Sequence, residues 1–242
     1  MFQCLFIFFE ALPFNRPRFC PNASWNPNAI TFANISTIGS GPRDIFISTN
    51  NAIYATSYNT HRAVVWNAGN SVPIKIISGN LTYPQGLFVT TTDDIYISIV
   101  VSTGRIDKWA ANSISGAPVM HTCKFCSDIF VDDADSLYCS IQDLHEVVRK
   151  SVQSGSNAFT VSAGTGTAGS TSAMLNKPRG IFVNTNLDLY VADTDNDRVQ
   201  LFIPGRFNAS TVAGSTSSSV TIALLSPTGI VLDADSYLFI VD

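Results

Sequence analysis

The feature that most limits the fold of this chain is a short apolar segment that recurs five times along its 242 residues. Each copy begins with proline or cysteine, has aspartate or glycine in third place, and ends in three apolar residues. The copies occupy residues 42–47, 84–89, 126–131, 178–183 and 227–232, at spacings of 42, 42, 52 and 49. Self-similarity at such a period indicates an architecture in which each unit packs against its neighbours.

Each unit continues into further short apolar runs separated by polar turns. A second run follows in all five units, a third in the first four, and a fourth at 74–77, 159–162 and 210–213. Four short strands per 40–50 residues are typical of a β-propeller blade. The run 45–47 is continuously apolar rather than alternating, as expected of a sheet that is covered on both faces. The sequence therefore predicts an all-β propeller of four-stranded antiparallel blades.

Composition and charge exclude several other classes. The 15 glycines and 11 prolines break the chain too often for long helices. A net charge of -4 with only 14 Lys and Arg disfavours a nucleic-acid partner, because such binding depends on basic side chains that neutralise phosphates. The apolar run 95–101 is interrupted by Ser98 and is far shorter than the roughly 20 residues of a transmembrane helix. We therefore expect no membrane span.

The fourth unit carries a family resemblance. Its residues 178–200 include Pro178, Asp193, Asn196 and Arg198 in a pattern that resembles the NHL repeat, and the resemblance extends over about 41–242. Asp197 stands where the family signature has histidine, whereas His61 and His145 occupy that place in other units. The resemblance implies a propeller fold, but propellers of this kind host many activities, so it says little about function.

The repeats also predict a division of the chain. Residues 1–28 form an N-terminal segment and residues 29–242 the propeller. Within the propeller we expect a lone closing strand at 29–38 and units at about 41–82, 83–124, 125–176, 177–225 and 226–242, the last one truncated. Because a six-bladed ring of this type needs about 24 strands, the sequence predicts an incomplete six-bladed ring of about 4.5–5 blades.

A set of polar and aromatic residues is predicted to converge on one rim of the propeller. The first strand of each blade begins on the face at which the second strand ends, so the links between blades and the turns after the second strands share that face. The residues concerned are Arg43, Tyr58, Asn59, Gln85, Arg179, Asp193 and Asp195. Arginine and aromatic side chains on a ring of loops suit the recognition of a protein or peptide. The sequence thus favours a non-enzymatic binding platform without a cofactor.

Two other functions remain open at this stage. Some propellers resembling the NHL type are zinc lyases that act on peptidyl-α-hydroxyglycine, and such a site needs several converging histidines. His61 and His145 are equivalent repeat positions, which suggests hydrogen bonds to a neighbouring turn, and only His121 is left over. The chain could also be the substrate-recognition part of a tripartite-motif ubiquitin ligase, although it shows no RING or B-box cysteine array. We expect no metal and lean against an enzyme.

Three cysteines are candidates for a disulfide in the third unit: Cys123, Cys126 and Cys139. The pairing cannot be assigned from the sequence, and buried thiols or a zinc quartet with His121 are alternatives. A disulfide would favour an oxidising, extracellular compartment over the cytoplasm.

The N-terminus and the glycosylation triplets bear on location but do not decide it. Residues 1–9 resemble the apolar core of a secretory signal, yet they lack a preceding Lys or Arg and are followed by Glu10. They could equally be a short hydrophobic arm. The candidate glycosylation sites are Asn22, Asn34, Asn80 and Asn208. Four is about the number that a chain this rich in Asn, Ser and Thr yields by chance, so these sites carry no information about secretion.

Overall fold

The computed structural model of the protein describes Arg16, residues 28–218 and residues 222–242. These residues form four antiparallel sheets of four strands and one sheet of two strands, and each sheet lies within one repeat. In every sheet the strands pair in chain order. The all-β propeller that the repeats predict is therefore confirmed.

The strands are short, as the apolar runs imply. Sheet 1 contains β1 (Pro42–Ile47), β2 (Ile53–Ser57), β3 (Arg62–Trp66) and β4 (Lys75–Ile77). Sheet 2 contains β5 (Pro84–Val89), β6 (Ile95–Val100), β7 (Gly104–Trp109) and β8 (Ala117–Thr122). Sheet 3 contains β9 (Asp128–Val131), β10 (Ser136–Ile141), β11 (Glu146–Ser151) and β12 (Thr160–Gly164). Sheet 4 contains β13 (Pro178–Val183), β14 (Leu189–Asp193), β15 (Arg198–Phe202) and β16 (Ser210–Gly214). Sheet 5 contains β17 (Gly229–Leu232) and β18 (Leu238–Val241).

The first strand of each sheet, here called the inner strand, packs against the inner strands of the adjacent sheets. A ladder of phenylalanine rings runs along this contact: the ring centroids of Phe46 and Phe88 lie 4.9 Å apart, those of Phe88 and Phe130 4.8 Å, and those of Phe130 and Phe182 5.2 Å. Such tilted and edge-on ring pairs add to the stabilisation from apolar burial. Phenylalanine at the same place in four repeats therefore joins four sheets.

Buried hydroxyl groups make a second set of bonds between sheets. Each lies on a second strand, accepts a hydrogen bond from the inner strand of its own sheet, and donates one to a backbone carbonyl in or just before the inner strand of the next. Ser98, for example, accepts from Gly86 N at 2.9 Å and donates to Cys126 O at 3.0 Å. Thr56 and Ser140 occupy the equivalent positions and make the equivalent bonds. These hydroxyls satisfy backbone groups that the core would otherwise leave unpaired.

Replacing one of these hydroxyls should be costly despite the small change in volume. We expect Ser98→Ala to lower the free energy of unfolding by about 2–3 kcal/mol, since it leaves a buried N–H and a buried carbonyl without partners. Urea denaturation of Ser98→Ala beside Ser102→Ala measures this, because Ser102 is exposed. Equal stabilities of the two variants would contradict the bridging role.

The segment predicted to be a lone closing strand is not a strand. Residues 35–38 form the short helix α1 (Ile35–Ile38), and Asn34 caps it by accepting hydrogen bonds from Ser36 N and Thr37 N. A fourth strand needs a third strand beside it, and among the described residues no such partner is available. Instead the segment lies over the outer face of sheet 1. The ring centroids of Phe32 and Trp66 are 5.8 Å apart, and the two rings meet edge-on at an interplanar angle of 69°.

The predicted disulfide in the third unit is confirmed, and the structure assigns its partners. Cys126 and Cys139 are joined, and both are fully buried. Cys123 is an exposed free thiol. Because two of the four residues of the alternative zinc quartet are bonded to each other, this structure gives that alternative no support.

Candidate functional site

The upper face of the ring is defined here as the edge that carries the links between sheets and the turns between second and third strands. Backbone hydrogen bonds tie each turn to the link beside it. Tyr58 N donates to Gly41 O at 2.8 Å, and Asp195 N donates to Asn176 O at 3.1 Å. These bonds place Tyr58 and Asp195, two of the seven residues predicted for the rim, beside the links that lead into the inner strands of sheets 1 and 4.

An aromatic and basic cluster forms on this face between sheets 1 and 2. The guanidinium of Arg43 lies over the ring of Tyr58 at 4.7 Å, a cation–π distance. The rings of Tyr58 and Tyr83 are 4.7 Å apart, and those of Tyr83 and His61 4.3 Å apart. We call Arg43, Tyr58, Tyr83 and His61 the aromatic cluster. Tyr83 is 39% exposed, so part of its ring faces solvent.

The position of Tyr83 results from a backbone arrangement that the repeat uses three times. Tyr83, Lys177 and Ser226 each precede the proline of an inner strand and each have a positive φ, between 47° and 58°. His61 Nδ1, His145 Nδ1 and Asp197 Oδ1 accept the N–H of these three residues at 3.1, 3.1 and 2.8 Å. The expectation that His61 and His145 bond to a neighbouring turn is therefore confirmed. A left-handed conformation is unfavourable for a bulky residue such as tyrosine, so these side-chain acceptors help to hold it in place.

This arrangement presents three chemically different side chains on one face. Tyr83 is aromatic, Lys177 is cationic and paired with Asp195 at 2.9 Å, and Ser226 is small. The backbone is repeated while the exposed chemistry varies. The sequence pointed to Tyr58 but missed Tyr83, although the position before each inner-strand proline can be read directly from the repeats.

Not all predicted rim residues offer a side chain to a ligand. Asp193 is fully buried, and its carboxylate bonds to Arg198 Nε at 2.7 Å, Asn196 Nδ2 at 2.9 Å and Asn176 N at 2.6 Å. Burial raises its pKa, and these donors act in the opposite direction. The Asp193 side chain therefore stabilises the turn and is not exposed to a ligand.

The other predicted residues are nearer to solvent. Asn59 and Arg179 are exposed and Gln85 is half-buried. The backbone carbonyls of Gln85 and Arg179 accept the hydroxyl bonds from Thr56 and Ser140 at 2.9 and 2.5 Å. The Arg179 side chain has no acceptor among the described residues, so it is available to a ligand.

Two carboxylates between the inner strands were not predicted. Asp44 Oδ2 accepts from Leu87 N at 2.6 Å and Asp128 Oδ2 accepts from Ile181 N at 2.9 Å, each across to the next sheet. Burial raises the pKa of Asp128 to about 6, and burial together with the charge of Asp128 raises the pKa of Asp44. Their oxygens are occupied by backbone N–H groups, so the pair bridges sheets. The repeat alignment contained the signal, since Asp and Gly alternate at this position in the first four repeats.

A groove of about 490 Å³ lies between sheets 3 and 4, and its lining runs from Glu146 and Thr165 near the upper face to the turn after β15. Tyr138, Glu146, Arg149, Phe202 and Phe207 are among the residues that line it. Burial raises the pKa of Glu146. The groove shares no residue with the aromatic cluster.

Within the described parts of the chain there is no group of three or more His, Cys, Asp or Glu residues that could hold a metal ion. No helix in those parts has the length and apolar character to cross a bilayer. Of the candidate glycosylation sites, Asn80 and Asn208 are exposed, Asn34 caps α1, and Asn22 lies outside the described residues.

The chain is similar to known proteins in one repeat and in overall fold. The NHL repeat model matches residues 175–202, which confirms the resemblance seen in the fourth unit. No curated protein matches the chain.

Three solved structures illustrate the likeness in fold. An auxiliary nutrient binding protein from Bacteroides ovatus has 15% identity and a TM-score of 0.67, covering 84% of this chain and 56% of its own. A catalytically inactive virginiamycin B lyase from Staphylococcus aureus with quinupristin has 12% identity and a TM-score of 0.58, covering 82% and 62%. A nidogen/laminin complex has 14% identity and a TM-score of 0.56, covering 71% and 66%. This chain thus spans about 56–66% of the length of those chains.

Proposed function

We propose that this protein is a non-enzymatic interaction platform that binds a protein or peptide through its upper face. The observation that carries the proposal is the aromatic cluster, in which the guanidinium of Arg43 and three tilted rings form one continuous series of contacts. A few residues contribute most of the binding energy at protein interfaces, and tyrosine and arginine are enriched among them. These side chains are already ordered by contacts within the protein, so little side-chain conformational entropy is lost when a ligand binds.

The repeated arrangement before each inner-strand proline supports the same proposal. It fixes the backbone conformation and lets the exposed side chain vary from repeat to repeat. Each repeat can therefore present a different side chain to a different part of a ligand. Lys177 and Asp195 add a solvent-facing ion pair on sheet 4. Arg43 and Arg179 have no carboxylate partner among the described residues, so they would favour acidic groups in the ligand.

No specific observation favours the lyase alternative. Nδ1 of both His61 and His145 is occupied by a backbone N–H. For the location, we propose an extracellular compartment, supported by the Cys126–Cys139 disulfide, since such bonds persist in oxidising surroundings.

The binding role can be tested without knowing the natural ligand. A random peptide display library is selected on the full chain, and the dissociation constants of the selected peptides are measured by calorimetry. We expect Tyr83→Ala to weaken their binding at least tenfold, because truncation of a hot-spot aromatic residue costs about 2 kcal/mol or more.

Phe207→Ala is the matched control, because it removes an aromatic ring that is 75% exposed in the turn after β15, away from the upper face. Binding that is unaffected by Tyr83→Ala, or weakened equally by Phe207→Ala, would contradict the proposal. Thermal melts of both variants show that each remains folded.

A further inference from the structure

Arg16 makes a polar contact on the lower face, which is the edge of the sheets opposite to the upper face. Its Nε donates to Asp233 O at 3.0 Å, and its Nη2 donates to the same oxygen. The guanidinium also lies over the ring of Phe182, 5.8 Å from the centroid. One arginine side chain therefore meets both a carbonyl acceptor and an aromatic face.

The receiving surface is set up by the fold of sheets 4 and 5. Asp233 is 3% exposed, and its carbonyl also closes the turn after β17 by accepting from Ser236 N at 3.1 Å. Its carboxylate is fixed by Asp235 N and Tyr237 N at 3.0 and 2.8 Å. The acceptor is thus rigid and does not depend on Arg16 for its position.

The repeat changes beside this acceptor. Phe182 is the last ring of the phenylalanine ladder, because the fifth repeat has Val231 where the others have phenylalanine. The guanidinium of Arg16 lies over this terminal ring. The equivalent turn carbonyls of Thr90, Asp132 and Asn184 likewise accept the corresponding turn N–H.

The chemistry selects a guanidinium over an ammonium group. Two N–H groups of one planar fork converge on a single oxygen while the plane covers a ring, which lysine cannot reproduce. The carboxylate of Asp233 attracts the charge of Arg16, while burial lowers the pKa of Arg16.

We propose that the lower face at Phe182 and Asp233 is a binding site for an arginine side chain, occupied here by Arg16 of the same chain. An arginine-containing peptide would compete with this internal ligand. The site is separate from the aromatic cluster, so its test does not depend on the function proposed for the upper face.

The test uses the full chain and a peptide that reproduces residues 12–19, labelled for fluorescence anisotropy. We expect the Arg16→Ala protein to bind this peptide about tenfold more tightly than a peptide in which the position of Arg16 is alanine. The wild-type protein should bind the arginine peptide more weakly than the Arg16→Ala protein does, because its own Arg16 fills the site. Arg16→Lys keeps the positive charge but lacks the planar pair of N–H groups. The Arg16→Lys protein should therefore bind the arginine peptide as tightly as the Arg16→Ala protein does.

Arg18→Ala is the control within the same segment, and it should leave peptide binding at the wild-type level. The proposal is overturned if the two peptides bind the Arg16→Ala protein equally. It is also overturned if that protein binds neither peptide up to millimolar concentration, or if Arg18→Ala increases binding as much as Arg16→Ala does. Thermal melts establish that each variant is folded before binding is measured.

Discussion

Arg198→Ala should lower the free energy of unfolding by about 3–5 kcal/mol, the cost of removing one partner of a buried ion pair. Nε of Arg198 bonds to Asp193 at 2.7 Å, and its other nitrogens donate to Ser170 O, Thr171 O and Met174 O. The side chain is 7% exposed and that of Asp193 is not exposed at all. Without the guanidinium, the buried carboxylate of Asp193 loses its cationic partner and one of its three donors, and three backbone carbonyls lose the Arg198 donor.

Chemical denaturation monitored by fluorescence measures this loss, with Arg206→Ala as the control. Arg206 is exposed and has no hydrogen-bonded side-chain partner among the described residues, so its removal should change stability by less than about 0.5 kcal/mol. Arg198→Lys should fall between the two, since it retains the charge but cannot reach all four acceptors. An Arg198→Ala protein as stable as Arg206→Ala would show that this network does not hold sheet 4 to its preceding link.

Phe88→Ala should cost a similar amount, about 3–5 kcal/mol, because it removes a fully packed ring and leaves a cavity. Phe88 is 3% exposed and contacts both Phe46 and Phe130 within the ladder. Its loss interrupts the packing between sheets 1, 2 and 3 rather than within one sheet.

Phe207→Ala again serves as the control, because it makes the same chemical change at an exposed turn. Thermal and urea denaturation of both variants should give a difference of several kcal/mol. Equal losses would mean that the repeat alignment, which places Phe46, Phe88, Phe130 and Phe182 at one position, has the wrong register.

The fold could be predicted because each repeat carries the same pattern of apolar residues, and a regular spacing determines how units stack. The prediction failed at residues 29–38, where a run containing Ile30 and Phe32 resembles a strand. Whether such a run becomes a strand depends on an unpaired neighbour elsewhere in the sheet, and local composition contains no information on that neighbour. Asn34 favoured a helix start instead, through its bonds to Ser36 N and Thr37 N.

Strand direction alone places the links and the second turns on one face, so the sequence could predict this part of the geometry. The chemistry of the candidate site was harder to predict. Asp193 and Asp195 are two residues apart in the same turn, yet one is buried against Arg198 and the other pairs at the surface with Lys177. Tyr83 was missed because its exposure depends on a positive φ that His61 supports from the preceding turn. Both outcomes depend on contacts between segments distant in sequence.

The hydrogen bonds of the buried Thr56, Ser98 and Ser140 hydroxyls all run in the same direction along the array of sheets. Each hydroxyl accepts a bond from its own sheet and donates its proton to the following one. If a sheet opens, the sheet after it loses a donor to a fixed carbonyl, whereas the sheet before it keeps a hydroxyl that can rotate towards water. Local opening of one sheet therefore leaves an unpaired acceptor in the following sheet and an unpaired donor in the preceding one, so its two neighbours are affected differently.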